Sequence, residues 1–320
     1  MNFARRLQLA AVILVALSGG AAWSQAARTI KIVVPYPPGG GTDIMARLLA
    51  EQIGRAQGQT CVVENRPGAG SVIGTEAVSR AAPDGNTVLI NNAAFVINPH
   101  LRKVNYNPLT GFEPICHLAS SPSLIVVNSA SPYRTLADLL EEARAKPGAL
   151  TMASDGPATL HHIAIEMLKR TAKVDMTFVP YPGAAPAVNA LLGEHVTSVF
   201  VIYPPVAEQL KAGKLRPLAT GSRTRIETLA EVPTVAESGY TDYKVDEWFG
   251  VLAPAKTPKD MLSRLAGWFT AALEVPEVKA KLVAQGLFPL GMCGTDFGAF
   301  IRKQYDDYGR VILEANIKAE

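Results

Sequence analysis

Short apolar runs alternate with amphipathic helical patterns along most of this chain. The run at 30–34 is rich in β-branched residues and has the length of a buried strand, and apolar residues recur behind it at helical spacing. This alternation is typical of α/β layers around a largely parallel sheet, so we predict an α/β fold. The predicted strands are 30–34, 60–64, 87–90, 124–127, 150–153, 176–179, 196–200, 215–220 and 248–253.

Three of these strands are followed by a similar loop and a helix start. The first loop contains Gly39-Gly40-Gly41, and Thr42 is the expected N-cap of the helix behind it. The second runs from 154 to 159 with Thr159 as the expected cap, and the third spans 180–183. Free backbone N–H groups and the helix dipole make each helix start a potential anion site, and ligands bind at the carboxyl ends of strands in α/β sheets. The alternative is a tight βα turn without a ligand, because neither G-x-x-x-x-G-K-[ST] nor G-x-G-x-x-G is present.

The first 26 residues have the pattern of a secretory signal peptide. Arg5 and Arg6 precede an apolar stretch at 7–17 that is too short to span a bilayer, and Ser24 and Ala26 suit a cleavage site. The 294 residues after Ala26 are enough for two domains of ordinary size. They carry 29 basic and 28 acidic side chains without a basic stripe, so we expect no nucleic-acid partner.

The candidate reactive residues do not form a recognisable metal or catalytic motif. Cys61, Cys116 and Cys293 lack metal-type spacing; one disulfide with a leftover thiol is possible, but the apolar surroundings favour buried thiols at Cys61 and Cys116. His162 and Glu166 are four positions apart without a third ligand. Because G-x-S-x-G is absent too, we predict no metal, no cofactor and no enzymatic activity.

A series of longer motifs identifies a family resemblance over nearly the whole chain after Ala26. These motifs are Val34-Pro35-Tyr36-Pro37-Pro38-Gly39-Gly40-Gly41-Thr42-Asp43, Glu64-Asn65-Arg66-Pro67-Gly68-Ala69-Gly70, Ala82-Pro83-Asp84-Gly85, Asn98-Pro99, Gly213-Lys214-Leu215-Arg216, Pro233-Thr234-Val235-Ala236-Glu237-Ser238-Gly239 and Trp248-Phe249-Gly250. The chain resembles the Bug-type (TctC-like) receptors, the periplasmic solute-binding components of tripartite tricarboxylate transporters.

The resemblance implies a type II periplasmic binding protein, in which two α/β lobes are joined by two crossover segments and enclose a ligand cleft. It places lobe 1 at 27–124 plus 251–320 and lobe 2 at 125–250, with crossovers near 124–128 and 248–253. A monomeric periplasmic receptor for a small carboxylated solute is expected. Its partner is membrane permease subunits in a transport role, or a sensor kinase ectodomain in a signalling role, and the sequence leaves both open.

The loops and the resemblance together predict the ligand contacts. They are Tyr36, Gly40, Thr42, Asp43, Asn92, Ala93, Ser154, Asp155, Gly156, Thr159, His162, Tyr181, Gly183 and Ala184. Backbone amides and hydroxyls are expected to hold the carboxylate, and the side chain of Asp43 also suits the positive end of a helix dipole.

Asp155, Ala158, Pro182 and Val201 depart from the usual family pattern. The carboxylate of Asp155 has two alternative roles. It either caps its helix or meets solvent, or it points into the cleft and pairs with a cationic group of the ligand; we favour the capping role because acids are common at helix starts.

Overall fold

The computed structural model describes residues 29–157, 159–181 and 183–318. The predicted signal peptide and the departures at Ala158 and Pro182 lie outside these ranges. The strands are β1 Thr29–Val34, β2 Thr60–Asn65, β3 Thr87–Asn92, β4 Phe112–Asn128, β5 Thr151–Ser154, β6 Thr177–Pro180, β7 Ser198–Ile202, β8 Leu215–Thr220, β9 Asp246–Pro254 and β10 Phe288–Cys293. The helices are α1 Gly41–Gln57, α2 Val72–Ser79, α3 Ala94–Leu101, α4 Leu136–Ala145, α5 Leu160–Ala172, α6 Ala184–Leu192, α7 Ala207–Lys211, α8 Lys259–Glu274, α9 Pro276–Ala284 and α10 Thr295–Glu314.

The strands form two sheet regions that share the long strand β4. In the first region the order is β2-β1-β3-β9-β4, with β10 also paired to β4; in the second, β4 pairs with β7 and β8, and β5 lies between β7 and β6. Pairing is parallel among β1, β2 and β3 and among β5, β6 and β7, but β4 and β9 run antiparallel to their neighbours. The α/β prediction is confirmed, whereas the prediction of a largely parallel sheet is wrong, because two long central strands reverse the direction.

Strand β4 passes from one lobe to the other without a break. Ser120 and Pro122 pair with Trp248 and Asp246 of β9, and Ser123 already pairs with Ile202 of β7. The serines and proline at 120–123 therefore lie inside a strand of 17 residues, of which the sequence predicted only 124–127. The carbonyl of Pro122 accepts a hydrogen bond from the Tyr203 amide at 3.0 Å, so the proline does not interrupt the connection between lobes.

Each lobe buries apolar side chains on both faces of its sheet region. In the first lobe α1, α8 and α9 cover one face, where Ile32, Leu49 and Phe269 are buried. The helices α2, α3 and α10 contribute to the core on the opposite face, and α4 and α5 of the second lobe belong to the same cluster. An ion pair of 3.0 Å joins Arg170 on α5 to Glu314 on α10, so the lobes also touch outside the crossover strands. No helix among the described residues is long and apolar enough to span a bilayer.

Strand β10 and the helices α3 and α7 were not predicted from the sequence. Strand β10 places Cys293 opposite Cys116 on β4, and the two form a disulfide across 177 positions of sequence. The prediction of a buried thiol at Cys116 is therefore wrong, because the partner is brought in by long-range strand pairing that spacing does not reveal. Cys61 is a half-buried thiol, and burial raises its pKa.

Candidate functional site

The glycine-rich loop exposes its backbone at the start of α1. The N-cap is Gly40, and Thr42 is a buried residue of the first turn, so the prediction of Thr42 as the cap is wrong. Gly39 has a φ of +90°, which favours glycine, and a Cβ at Gly39 or Gly40 would meet no atom within 4 Å. The first amides of a helix have no carbonyl partner within it, and here they adjoin open space that a ligand can enter.

The carboxylate of Asp43 holds this loop together. The Gly39 amide donates to it at 2.9 Å, Asn65 Nδ2 at 2.9 Å and Arg47 Nε at 3.0 Å. Burial of Asp43 opposes its ionisation, but the hydrogen bonds from Arg47, Gly39 and Asn65 outweigh burial and keep its pKa below the ordinary value. The side chain of Asp43 is thus engaged within the protein, and its backbone amide remains the group suited to a ligand.

Replacing Asp43 with alanine is expected to lower the free energy of unfolding by about 2 kcal/mol at pH 7, because a charged acceptor with several donors is lost. Since the pKa of Asp43 is depressed, its contribution is present above the unfolded pKa and disappears as the pH falls through the folded pKa. Urea unfolding measures the loss. Asp260→Ala is the matched control, because Asp260 is an exposed acid in the first turn of α8; equal losses in both variants would contradict the bracing role of Asp43.

The next part of the site lies where β3 ends and α3 begins. The Tyr36 hydroxyl is 2.6 Å from Asn92 Oδ1, and this contact fixes the glycine-rich loop against β3. The Ala93 amide donates to Glu247 Oε1 on the crossover strand β9 at 3.1 Å. Burial, together with the nearby Glu247, raises the pKa of Tyr36, so its hydroxyl stays protonated as a donor.

The second-lobe side of the site is the turn between β5 and α5. Thr159 caps α5 as predicted: its Oγ1 accepts from the His162 amide at 3.3 Å and donates to the Gly156 carbonyl at 3.0 Å. Gly156 has a φ of +135°, and the Tyr181 amide donates to the Ser154 carbonyl at 3.0 Å. These bonds align the β5 and β6 loops, whose residues were predicted to face the same ligand.

Asp155 does not cap the helix, because Thr159 does, so the capping half of the favoured prediction is wrong; the side chain is 29% exposed and still meets solvent. Its Oδ1 lies 3.0 Å from Nδ1 of His161, and Nε2 of the same ring lies 3.2 Å from Ser123 Oγ on β4. Burial disfavours the charged imidazole, but Asp155 reverses this effect and raises the pKa of His161. The partner of Asp155 is therefore a histidine of the protein, which neither predicted role included.

Glu247 completes a buried polar network between the lobes. Its side chain is 8% exposed, and burial raises its pKa to about 7 even though the nearby His161 favours ionisation. Ser123, His161 and Glu247 were absent from the predicted contacts. The available signal was an acid at the start of the apolar run of β9, where a charge is rarely buried without a role.

The remaining predicted contacts are His162, Gly183 and Ala184. His162 stacks on Phe178 with ring centroids 4.0 Å apart, which directs its ring toward β6. Gly183 is the N-cap of α6 with a φ of +125°, and Ala184 is the first residue of that helix. Among the described residues, no group of three His, Cys, Asp or Glu side chains is arranged to hold a metal ion. Whether the individual predicted residues contact a ligand stays a prediction.

Ser123, His161 and Asp155 are connected in the order found in serine hydrolases, but the geometry does not favour a nucleophile. Ser123 is fully buried inside strand β4, and a nucleophile must reach its substrate. The connection is instead suited to holding the imidazole in one orientation between β4 and the turn at 155.

Solved structures of similar chains share this two-lobe architecture. The structure of the periplasmic binding protein BugD is 33% identical with a TM-score of 0.78, and the match covers 92% of this chain and 99% of that one. Rpa4515 from R. palustris with adipate is 31% identical with a TM-score of 0.81, covering 92% and 99%. MatC from Rhodopseudomonas palustris with bound malate is 27% identical with a TM-score of 0.75, covering 90% and 99%. The fold is therefore that of the periplasmic binding proteins, as predicted.

The sequence comparisons agree with the structures. Protein BugT of Bordetella pertussis is 33% identical over 325 residues, covering 99% of both chains. Residues 45–317 match the family model described as the tripartite tricarboxylate transporter family receptor, TctC. The homologues are solute-binding receptors and not enzymes. This chain therefore belongs to the tripartite tricarboxylate transporter receptor family and is a periplasmic solute-binding receptor.

Proposed function

We propose that this receptor captures a small carboxylate-bearing solute in the cleft between its lobes and delivers it to a membrane permease. The observation that carries the proposal is the chain of contacts from Tyr36, in the loop before α1, to His161 in the first turn of α5. Tyr36 contacts Asn92, the adjacent Ala93 amide contacts Glu247, and Glu247 interacts electrostatically with His161, which pairs with Asp155. This chain links helix starts from both lobes to one crossover strand.

The proposed binding mode uses helix starts and backbone amides more than cationic side chains. The exposed backbone at Gly40, where α1 starts, and the turn at Gly156 offer N–H groups to a carboxylate, whereas the Gly39 N–H is already bound to Asp43. Hydrogen bonds to a charged oxygen contribute about 1.5–3 kcal/mol each. The adipate and malate bound by two structural relatives support a carboxylate as the ligand class.

Closure of the lobes is part of the proposal. We assign 27–124 with 251–320 to one moving body and 125–250 to the other, in a receptor that acts as a monomer after cleavage near Ala26. Hinge closure is an established movement for receptors of this fold. Small-angle scattering with and without a tight ligand tests it, and identical radii of gyration would contradict the movement.

Replacing Gly40 with leucine is expected to weaken carboxylate binding at least tenfold, because the new side chain extends into the open space beside the first amides of α1. Titration calorimetry with adipate, malate and the uncharged diamide of adipate measures the effect and the need for charge. The variant should fold normally, since Gly40 has a negative φ and no atom lies within 4 Å of its Cβ position.

The matched control is Gly267→Leu, at an equally open position on α8. Equal affinities in both variants, or equal binding of the diamide and the diacid, would overturn the proposed binding mode. Mass spectrometry of the native protein identifies a co-purified solute. Solute uptake by cells that lack this chain then separates delivery to a permease from docking on a sensor kinase ectodomain, since only the first role requires uptake to fall.

A further inference from the structure

A cavity of about 460 Å³ lies against the two crossover strands, β4 and β9. Its floor contains Ser120 and Pro122 of β4 and Asp246 and Trp248 of β9. Successive side chains of a strand point to opposite faces, so Glu247, which alternates with Asp246 and Trp248, faces the other side, where it meets the Ala93 amide. This rear cavity, defined by Ser120, Pro122, Asp246 and Trp248, is therefore separate from the proposed cleft.

The walls of the rear cavity come from both lobes and are largely apolar. Phe288, Leu290 and Met292 of β10 and Phe300 of α10 contribute on one side, and Ile226 contributes on the other. Leu290 is 57% exposed and adds an accessible apolar side chain to this wall. This wall can cover an aromatic ring or a branched hydrocarbon.

The polar groups of the rear cavity favour an anion. Arg223 and Lys244 line it with exposed, positively charged side chains. Asp246, the acid of its lining, accepts a hydrogen bond from Ser222, and burial raises the pKa of Asp246. His117 and Trp248 belong to the wall and are at least nine-tenths buried, and Trp248 Nε1 has no hydrogen-bond partner among the residues that the structure describes.

We propose that the rear cavity is a second binding site, which takes a small amphipathic anion. The apolar part of the ligand packs against Trp248 and Phe300, and its acidic group pairs with Arg223 and Lys244. The volume lies within the range of about 300–1,000 Å³ that is usual for small-molecule sites.

Occupancy of the rear cavity is coupled to movement of the lobes. Phe300 and Leu290 stand on the first lobe, whereas Arg223 and Lys244 belong to the second. A ligand that contacts both walls stabilises one relative position of the lobes. A ligand in the proposed cleft stabilises the relative position in which the cleft is closed. Each ligand then changes the affinity for the other by the same factor.

Fluorescence titration with 1-anilinonaphthalene-8-sulfonate tests the site directly. The neutral N-phenyl-1-naphthylamine is the matched probe, because it has the same aromatic body without the sulfonate. The mature protein is expected to bind the sulfonate saturably at one site and at least tenfold more tightly than the neutral probe. This preference is expected to vanish in the double variant Arg223→Gln, Lys244→Gln.

The control for charge is Lys259→Gln with Lys279→Gln, two exposed lysines outside the cavity lining. A second pair adds a negative charge. Thr224→Glu changes an exposed residue of the lining and should weaken binding of the sulfonate probe at least tenfold. Thr228→Glu changes an exposed residue outside the lining and should leave the affinity unchanged. All changes are on the surface, and circular dichroism verifies the fold. Absence of saturable binding, equal binding of both probes, or equal effects of the lining and control variants would overturn the proposal.

Discussion

Replacement of His161 by phenylalanine is expected to lower the free energy of unfolding by about 3 kcal/mol at pH 6, the low end for a broken buried ion pair, because the Asp155 carboxylate that loses its partner is 29% exposed. His161 is 2% exposed, its Nδ1 lies 3.0 Å from Asp155, and the phenylalanine ring would fill its place without the charge. Asp155 would then remain beside Glu247 without a cation. Chemical denaturation at several pH values measures the loss.

The pH dependence of this loss follows from the two pKa shifts. The raised pKa of His161 gives a contribution that is complete below about 6.5, the ordinary histidine value, and is lost as the pH rises through the folded pKa. The lowered pKa of Asp155 gives a contribution that is present above its ordinary value and is lost as the pH falls through the folded pKa. The difference between wild type and His161→Phe should therefore be largest between these limits and shrink on both sides.

The neighbouring histidine provides a matched control. His162→Phe can keep the stacking on Phe178 and is expected to cost less than about 1 kcal/mol. Adding Asp155→Asn to the His161→Phe variant should recover about half of the lost stability, because the orphaned carboxylate is removed. Equal costs for the two histidines, or no recovery, would show that His161 acts by packing alone.

The sequence predicted the outer parts of this fold well because local patterns determine them. The strand at 215–220 and the N-cap at Thr159 agree with the structure, and both depend on residues close in sequence. Only 124–127 of the long strand β4 was predicted, because serines and a proline such as Pro122 are typical of turns. They form a strand because β9 and β7 pair with them from distant parts of the chain.

The candidate site shows the same division between local and distant information. The glycine-rich loop and the turn at Gly156 were predicted from their own residues. The pairing of Asp155 with His161 joins positions six apart, but its effect depends on Ser123 and Glu247, which arrive on the crossover strands. A cysteine pair separated by 177 positions was equally beyond any pattern of spacing. Tertiary pairing therefore supplied the buried polar groups that local sequence did not reveal.

Replacement of Glu247 by glutamine is expected to change how the free energy of unfolding depends on pH. Its pKa is raised from 4.5 to about 7 in the folded protein. The folded state therefore holds the proton more tightly than the unfolded chain, so this group favours folding at low pH and its contribution is lost as the pH rises from about 4.5 to about 7. A shift of this size corresponds to about 3 kcal/mol.

We compare the difference in the free energy of unfolding between the glutamine variant and the wild type at two pH values. From pH 4.5 to pH 8 this difference should shift by about 3 kcal/mol in favour of the variant. Its amide oxygen can still accept the hydrogen bond from the Ala93 amide, so the backbone contact is kept.

Glu113→Gln is the matched control, because Glu113 also accepts a backbone N–H, from Lys256 at 3.1 Å, but lies at a partly exposed position. Thermal and urea unfolding across pH 4.5–8 measure both variants. If Glu247→Gln and Glu113→Gln follow the wild-type profile in parallel, Glu247 does not carry a tightly held proton. If only Glu247→Gln flattens the profile, the buried carboxyl of Glu247 is the group that makes the free energy of unfolding depend on pH in this range.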